Sequence, residues 1–134
     1  MVNRVVRQDE ETTVPEVCGT PISEFKVYFH SEDPIEVGVL FLRLGDIWHR
    51  FFLDAGLLFW KNAAPDPEND LDDGQDYINW GEELKVIGAT LSEVDFRDEI
   101  LRMRFDNGAE VVIQDFIREV ETRIKLFKPG EPNL

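Results

Sequence analysis

Two-residue alternation of apolar and polar side chains runs through most of this chain, and long helical periodicity is scarce. From Ile22 to Phe29, Phe25, Val27 and Phe29 fall on one side and Glu24 and Lys26 on the other. This predicts a half-buried strand, ended by the turn Ser31-Glu32-Asp33-Pro34. Glu36 to Leu44 is different, because Val37, Val39 and Phe41 oppose Leu40, Leu42 and Leu44. A strand apolar on both faces belongs inside a sheet that is covered on each side. Gly45-Asp46 then turns the chain into a strand from Ile47 to Leu53. Asp54-Ala55-Gly56 turns it again into Leu57 to Lys61, completing a hairpin.

Further along, Leu84 to Ala89 and Leu91 to Phe96 read as short extended pieces. Glu99 to Phe105 sets Leu101, Met103 and Phe105 against Arg102 and Arg104. Asp106-Asn107-Gly108 is the strongest hairpin signal, since Asn-Gly suits the two left-handed residues of a type I′ turn, and the return strand is Ala109 to Gln114. The last segment fits two patterns: Ile117, Val120, Ile124 and Phe127 form a helical stripe, whereas Val120, Thr122, Ile124 and Leu126 alternate. A strand over Val120 to Phe127 is preferred, because β-branched residues alternate there with Glu119, Glu121, Arg123 and Lys125. Pro129-Gly130 ends it, and residues 129–134 form a frayed tail. Shifting the chain by fifty-two residues matches Asp46, Arg50, Asp54 and Gly56 with Asp98, Arg102, Asp106 and Gly108. Hairpins of equal length share turn chemistry, so this correspondence is architectural.

These elements predict a mainly β, single-domain protein over residues 1–134. The expected architecture is an antiparallel meander forming two sheets or a partly closed barrel, with little helix. Its odd part is residues 62–84, which hold no lysine or arginine but carry Asp66, Glu68, Asp70, Asp72, Asp73, Asp76, Glu82 and Glu83. Two prolines and two glycines in this segment predict a long acidic loop. Loops of that length in compact domains are functional or disordered, and such dense like charge repels itself unless something positive meets it.

Charge and composition narrow the partners. Twenty-eight acidic against fourteen basic residues give a formal net charge of −14, which repels phosphate backbones and anionic headgroups, so neither nucleic acid nor a membrane is expected as partner. No apolar stretch approaches the roughly twenty residues needed to span a bilayer. The start lacks the apolar core of a signal peptide, and the single Cys18 has no internal disulfide partner. Together these predict a cytoplasmic setting.

Specific chemistries find little support. Taking Gly74 as the invariant glycine of a calcium loop puts Leu71 at the third position and Trp80 where a bidentate glutamate is required. His30 and His49 lie near carboxylates but lack zinc-site spacing. No metal is expected. Cys18 sits before the turn Gly19-Thr20-Pro21, and Ser23, Ser31 and Ser92 lie in no nucleophile elbow. Glycine-rich nucleotide signatures are missing, so no cofactor is expected either.

Aromatic side chains beside carboxylates are the remaining lead. Consecutive Phe51 and Phe52 point to opposite faces of their strand, so burying both requires cover on each side. Trp48, Trp60, Tyr77 and Trp80, with Asp70, Asp72, Asp73 and Asp76, form a candidate surface for a lysine- or arginine-rich partner. The expected function is therefore a non-catalytic acidic module that binds a basic protein surface, in an inhibitor or immunity-type role. Two alternatives belong to other classes. One is a small-molecule-binding or enzymatic β-barrel with the acidic loop as lid, its pocket lined by Trp48, Phe52 and Trp60 and anchored by His49 or Arg50. The other is a β domain whose loop only confers solubility. Edge strands of such a meander also allow two copies to pair as a homodimer.

Overall fold

The computed structural model describes residues 3–7, 12–13, 18–29, 38–54, 57–71, 74–97, 100–116 and 121–129. The chain is built from β1 (Asn3–Arg7), β2 (Thr12–Thr13), β3 (Ile22–Phe29), β4 (Gly38–Leu44), β5 (Ile47–Asp54), β6 (Leu57–Lys61), α1 (Pro67–Asp70), β7 (Ile78–Asn79), α2 (Trp80–Glu83), β8 (Leu91–Arg97), β9 (Ile100–Phe105), β10 (Glu110–Phe116) and β11 (Glu121–Phe127). Two antiparallel sheets result, in the orders β1-β6-β5-β4-β3-β7 and β11-β10-β9-β8-β2. The mainly β meander is as expected. It takes the two-sheet form, and among the described residues no barrel closes.

Alternation places the core. In the first sheet Phe25 and Val27 of β3, Leu40 and Leu42 of β4, Phe51 of β5 and Leu58 and Trp60 of β6 face inward. They meet Val94, Phe96, Leu101, Met103, Val111 and Ile113 of the second sheet in one cluster. Phe25 and Phe105 bring their ring centroids to 6.2 Å across the two layers. The final segment is a strand from Glu121, paired with β10 along its length.

β4 lies within the first sheet and is buried on both faces, as its sequence requires. Leu40, Leu42 and Leu44 face the second sheet, while Val39 and Phe41 join Tyr28 in a second buried cluster on the outer side. That outer cluster is closed by Leu71 and Tyr77 from the acidic segment. The segment is thus not simply a loop, since it carries α1, β7 and α2. Pro67 sits in the first turn of α1, where its missing N–H has no helical partner to lose. β7 pairs with the edge of β3 at Lys26 and Val27. Trp80, at the start of α2, turns its ring edge-on to Phe25 at 5.5 Å.

Several local expectations change. Leu84 to Ala89 is not extended: Leu84 N–H bonds Trp80 O at the end of α2, Val86 N–H bonds Gly81 O, and Lys85 takes a positive φ of 56°. Leu84 and Val86 are buried as the alternation implied, but the chain reaches them by turning. The Asp106-Asn107-Gly108 connection is a three-residue loop. Gly108 alone has positive φ, Gly108 N–H bonds Phe105 O, and Phe105 N–H bonds Ala109 O, so a type I turn with a glycine bulge replaces the type I′ turn. β1 and β2 are short edge additions that alternation did not pick out. The turns at 31–34 and 55–56, His30 and the tail beyond Pro129 lie outside the described residues.

The two sheets repeat one unit, but not at the fifty-two-residue offset. β3-β4-β5-β6 and β8-β9-β10-β11 have the same order, and each opens with a register shift, at Ile22/Glu24 and at Leu91/Glu93. Ser23 Oγ donates to Arg43 O at 3.1 Å, and Ser92 Oγ donates to Arg104 O at 3.2 Å. Arg43 then pairs with Glu24 at 3.3 Å and Arg104 with Glu93 at 3.0 Å. The fifty-two-residue match equates β5 with β9, the third strand of one unit with the second of the other. The two units meet where Ile22 N–H bonds Ala89 O and Gly88 N–H bonds Ile22 O, both at 2.8 Å.

Phe41 is fully buried although it lies on the outside of its sheet. Replacing it with Ala is expected to cost about 3–5 kcal/mol in urea unfolding. Ile47→Ala, at a position 56% exposed, should change stability by no more than about 0.5 kcal/mol.

Candidate functional site

The outer face of the first sheet is assembled from alternate residues: Glu24, Lys26 and Tyr28 of β3, Val39, Phe41 and Arg43 of β4, and Trp48, Arg50 and Phe52 of β5. Phe41 is its centre. Trp48 meets it edge-on at 6.4 Å and Tyr77 at 5.8 Å, with ring planes crossing at 84° and 87°, the arrangement favoured by aromatic quadrupoles. The Arg50 guanidinium lies 5.4 Å from the centre of the Phe52 ring.

Tyr77 ties this cluster to the acidic segment. Its hydroxyl donates to Asp70 Oδ2 at 2.8 Å, and the same oxygen accepts Asp66 N–H at 2.8 Å. Asp66 in turn accepts from Asn69 Nδ2 at 2.6 Å. Burial, and then the neighbouring Asp70, push the Tyr77 phenol far above its ordinary range, so it remains a hydrogen-bond donor. Asp70 is therefore a strut of the strap rather than a free charge. Asp76 is exposed, with Oδ1 accepting Tyr77 N–H. Glu68, Glu82 and Glu83 are exposed as well. Among the described residues no cation comes within ion-pair distance of Asp66, Glu68, Asp70, Asp76, Glu82 or Glu83.

The structure brings together Trp48, Tyr77 and Asp70 of the expected surface, with Asp76 next to them in the chain. Asp72 and Asp73 lie outside the described residues. Trp60 and Trp80 are elsewhere, only 2% and 3% exposed in the core between the sheets. Trp60 stacks on Phe51 at 5.8 Å and donates its indole N–H to His49 Nδ1 at 3.0 Å. Strand phase explains this, because Trp60 follows Leu58 onto the inner face. The pocket expected from Trp48, Phe52, Trp60 and His49 does not assemble, since the first two point outward and the last two inward. The anchors that pattern reading missed are Phe41 and Leu71. Their signals were a strand apolar on both faces and one aliphatic residue in a run of acids.

The outer face of the second sheet was also missed. Here Glu93, Asp95 and Arg97 of β8 stand beside Ile100, Arg102 and Arg104 of β9, around a groove of about 330 Å³. Arg104 is shared between Glu93 at 3.0 Å and Glu110 at 3.5 Å. Burial, and then the adjacent Glu93, push the Asp95 carboxyl above its ordinary range. Among the described residues no three His, Cys, Asp or Glu side chains gather as a metal site, and no helix is long and apolar enough to cross a membrane. Comparison with protein-family models, curated proteins and solved structures returns no match.

Two measurements probe these contacts. Tyr77→Phe removes one donor from Asp70 and should cost about 1 kcal/mol in urea unfolding. His49 is held below its ordinary pKa of 6.5 by burial, and with Nδ1 accepting from Trp60 its proton sits on Nε2. Above pH 6.5 the ring is neutral in folded and unfolded chains alike. Below it the unfolded chain takes the proton first, so stability falls until the folded ring also protonates. His49→Gln keeps an acceptor for Trp60. The stability difference between wild type and this variant should shift against the wild type as pH drops below 6.5, and a constant difference would contradict the assignment.

Proposed function

We propose that this protein is a non-catalytic interaction module that presents its acidic segment to a basic surface on a partner protein. The observation that carries this is the strap. Leu71 and Tyr77 fix the segment to the outer face of the first sheet and Trp80 roots its end in the core, while Glu68, Asp76, Glu82 and Glu83 stay exposed. Holding like charges close together is unfavourable in the free protein, and a complementary cationic surface relieves it. Preorganisation lowers the entropy lost on binding, and charge speeds encounter. Inhibition of, or immunity to, a basic toxin or nuclease suits this physics, and the lone Cys18 suits a reducing, cytoplasmic setting.

The test compares the wild-type chain with a variant carrying Glu68→Gln, Asp76→Asn, Glu82→Gln and Glu83→Gln, which spares Asp70 and the strap. Both serve as baits in a lysate of the source cell, and the association kinetics of the captured protein are then followed at low and high salt. A basic partner should associate about tenfold or more slowly with the variant at low salt, with dissociation little changed. Equal association rates that ignore salt, or failure to capture any basic protein, would overturn the proposal.

A further inference from the structure

Opposite charges share the outer face of the first sheet without meeting. Leu71 and Tyr77 pin the strap over Tyr28, Val39 and Phe41 of β3 and β4, and Glu68 and Asp76 beside these anchors are exposed. Next to the strap, the same face continues as Trp48, Arg50 and Phe52 of β5 and Phe59 and Lys61 of β6. Arg50 and Lys61 stand directly opposite each other in the antiparallel register, an unfavourable pairing of like charges.

Acids outnumber bases by twenty-eight to fourteen in this chain, yet the ion pairs of the described residues engage Lys26, Arg43 and Arg104. Among the described residues no carboxylate joins Arg50 or Lys61. Arg50 is already oriented for one, since its guanidinium lies over the Phe52 ring at 5.4 Å from the centre, and a stacked guanidinium keeps its in-plane N–H groups for an acceptor. Around it Trp48, Phe52 and Phe59 are half-buried, and aromatic rings with arginine are what protein interfaces concentrate. The face is thus acidic over β3 and β4 and cationic and aromatic over β5 and β6. Such a pattern is complementary to itself: turning a second copy by 180° about an axis running along β4, in the plane of the face, lays the acidic half of each copy on the cationic half of the other.

We infer that the chain pairs with a second copy of itself through this face, Glu68 and Asp76 of each strap meeting Arg50 and Lys61 of the other copy, with Trp48, Phe52 and Phe59 buried between them. A two-fold axis makes every contact twice, so the assembly closes at two chains and does not propagate. An axis at right angles to the strands sets acid on acid, and repulsion excludes it. This pairing rests on the function proposed for the strap and names its partner, because the second copy brings the cations that the strap does not meet in its own chain. An unrelated basic protein competes with that copy for the same carboxylates.

Sedimentation velocity on the unaltered chain, from about 5 to about 500 µM, should show a monomer converting to a dimer and to nothing larger. Arg50→Glu with Lys61→Glu, and separately Glu68→Lys with Asp76→Lys, should each raise the dissociation constant at least about tenfold. Mixed in equal amounts, the two double variants should pair again, because each offers the charges that the other has lost, and mixing does not restore a damaged fold. Lys61→Glu alone, at an exposed position, should weaken the dimer about threefold or more and serves if Arg50→Glu disturbs the sheet. A chain monomeric at every concentration, a dimer indifferent to these substitutions, or folded variants that stay apart on mixing would overturn the pairing. None of these outcomes bears on capture of a basic protein by the wild-type strap, so the two readings fail separately.

Discussion

A strand that is apolar on both faces imposes the constraint from which the rest of this structure follows. β4 carries Leu40, Leu42 and Leu44 on one side and Val39 and Phe41 on the other, so neither side of the first sheet can be left to water. The second sheet supplies one cover. The other has to come from a segment that composition marks as hydrophilic. Leu71 and Tyr77 supply it beside Trp48 and Phe52 of the sheet itself, each bringing an apolar body to the cluster while exposed carboxylates of the segment stay in solvent. Burial of Phe41 and exposure of the acidic charges are thus two results of one packing solution.

The same solution separates two kinds of carboxylate. Asp66 and Asp70 spend their oxygens on backbone and side-chain donors within the strap, as local acceptors do at turns and helix starts. Glu68, Asp76, Glu82 and Glu83 lie outside the strap's acceptor chain or at its margin, and their charge stays in solvent. Net charge alone does not draw this distinction. On the second sheet Glu93 and Asp95 occupy strand positions facing Arg104 and Arg102, and Glu93 is joined to Arg104 across the strands.

Most of the fold was legible because period-2 alternation is strong wherever a strand has one wet face. β3, the β5–β6 hairpin and the strands from Leu91 onward were readable in this way, and two-sided apolarity correctly placed β4 inside its sheet. Short edges were not readable. β1, β2 and β7 are defined by the strands they join, and β7 contains just two residues. At the site, alternation had the information but proximity in sequence was followed instead. Trp48 and Trp60 fall on the same hairpin, yet strand phase sends one outward and the other into the core. The segment 62–84 was read by composition, which registers prolines and glycines but not the single leucine and tyrosine that anchor it. The bulged Ser-Glu openings of β3 and β8 are visible as Ile22-Ser23-Glu24 and Leu91-Ser92-Glu93, a short match that only the shared register makes meaningful.

That repeat also bears on how the two units of one chain find each other. The two units meet through the backbone bonds of Ile22 with Gly88 and Ala89 and through apolar faces of similar design. Unit one of one chain meeting unit two of another would form those same contacts, which is the requirement for domain swapping. The connector between the units decides the outcome. Pinned to its own sheet by Leu71, Tyr77 and Trp80, it has a much shorter reach than its length in residues suggests, and a short tether favours closure within one chain over exchange between two. The anchors of the acidic strap thereby shorten the tether that joins the two units.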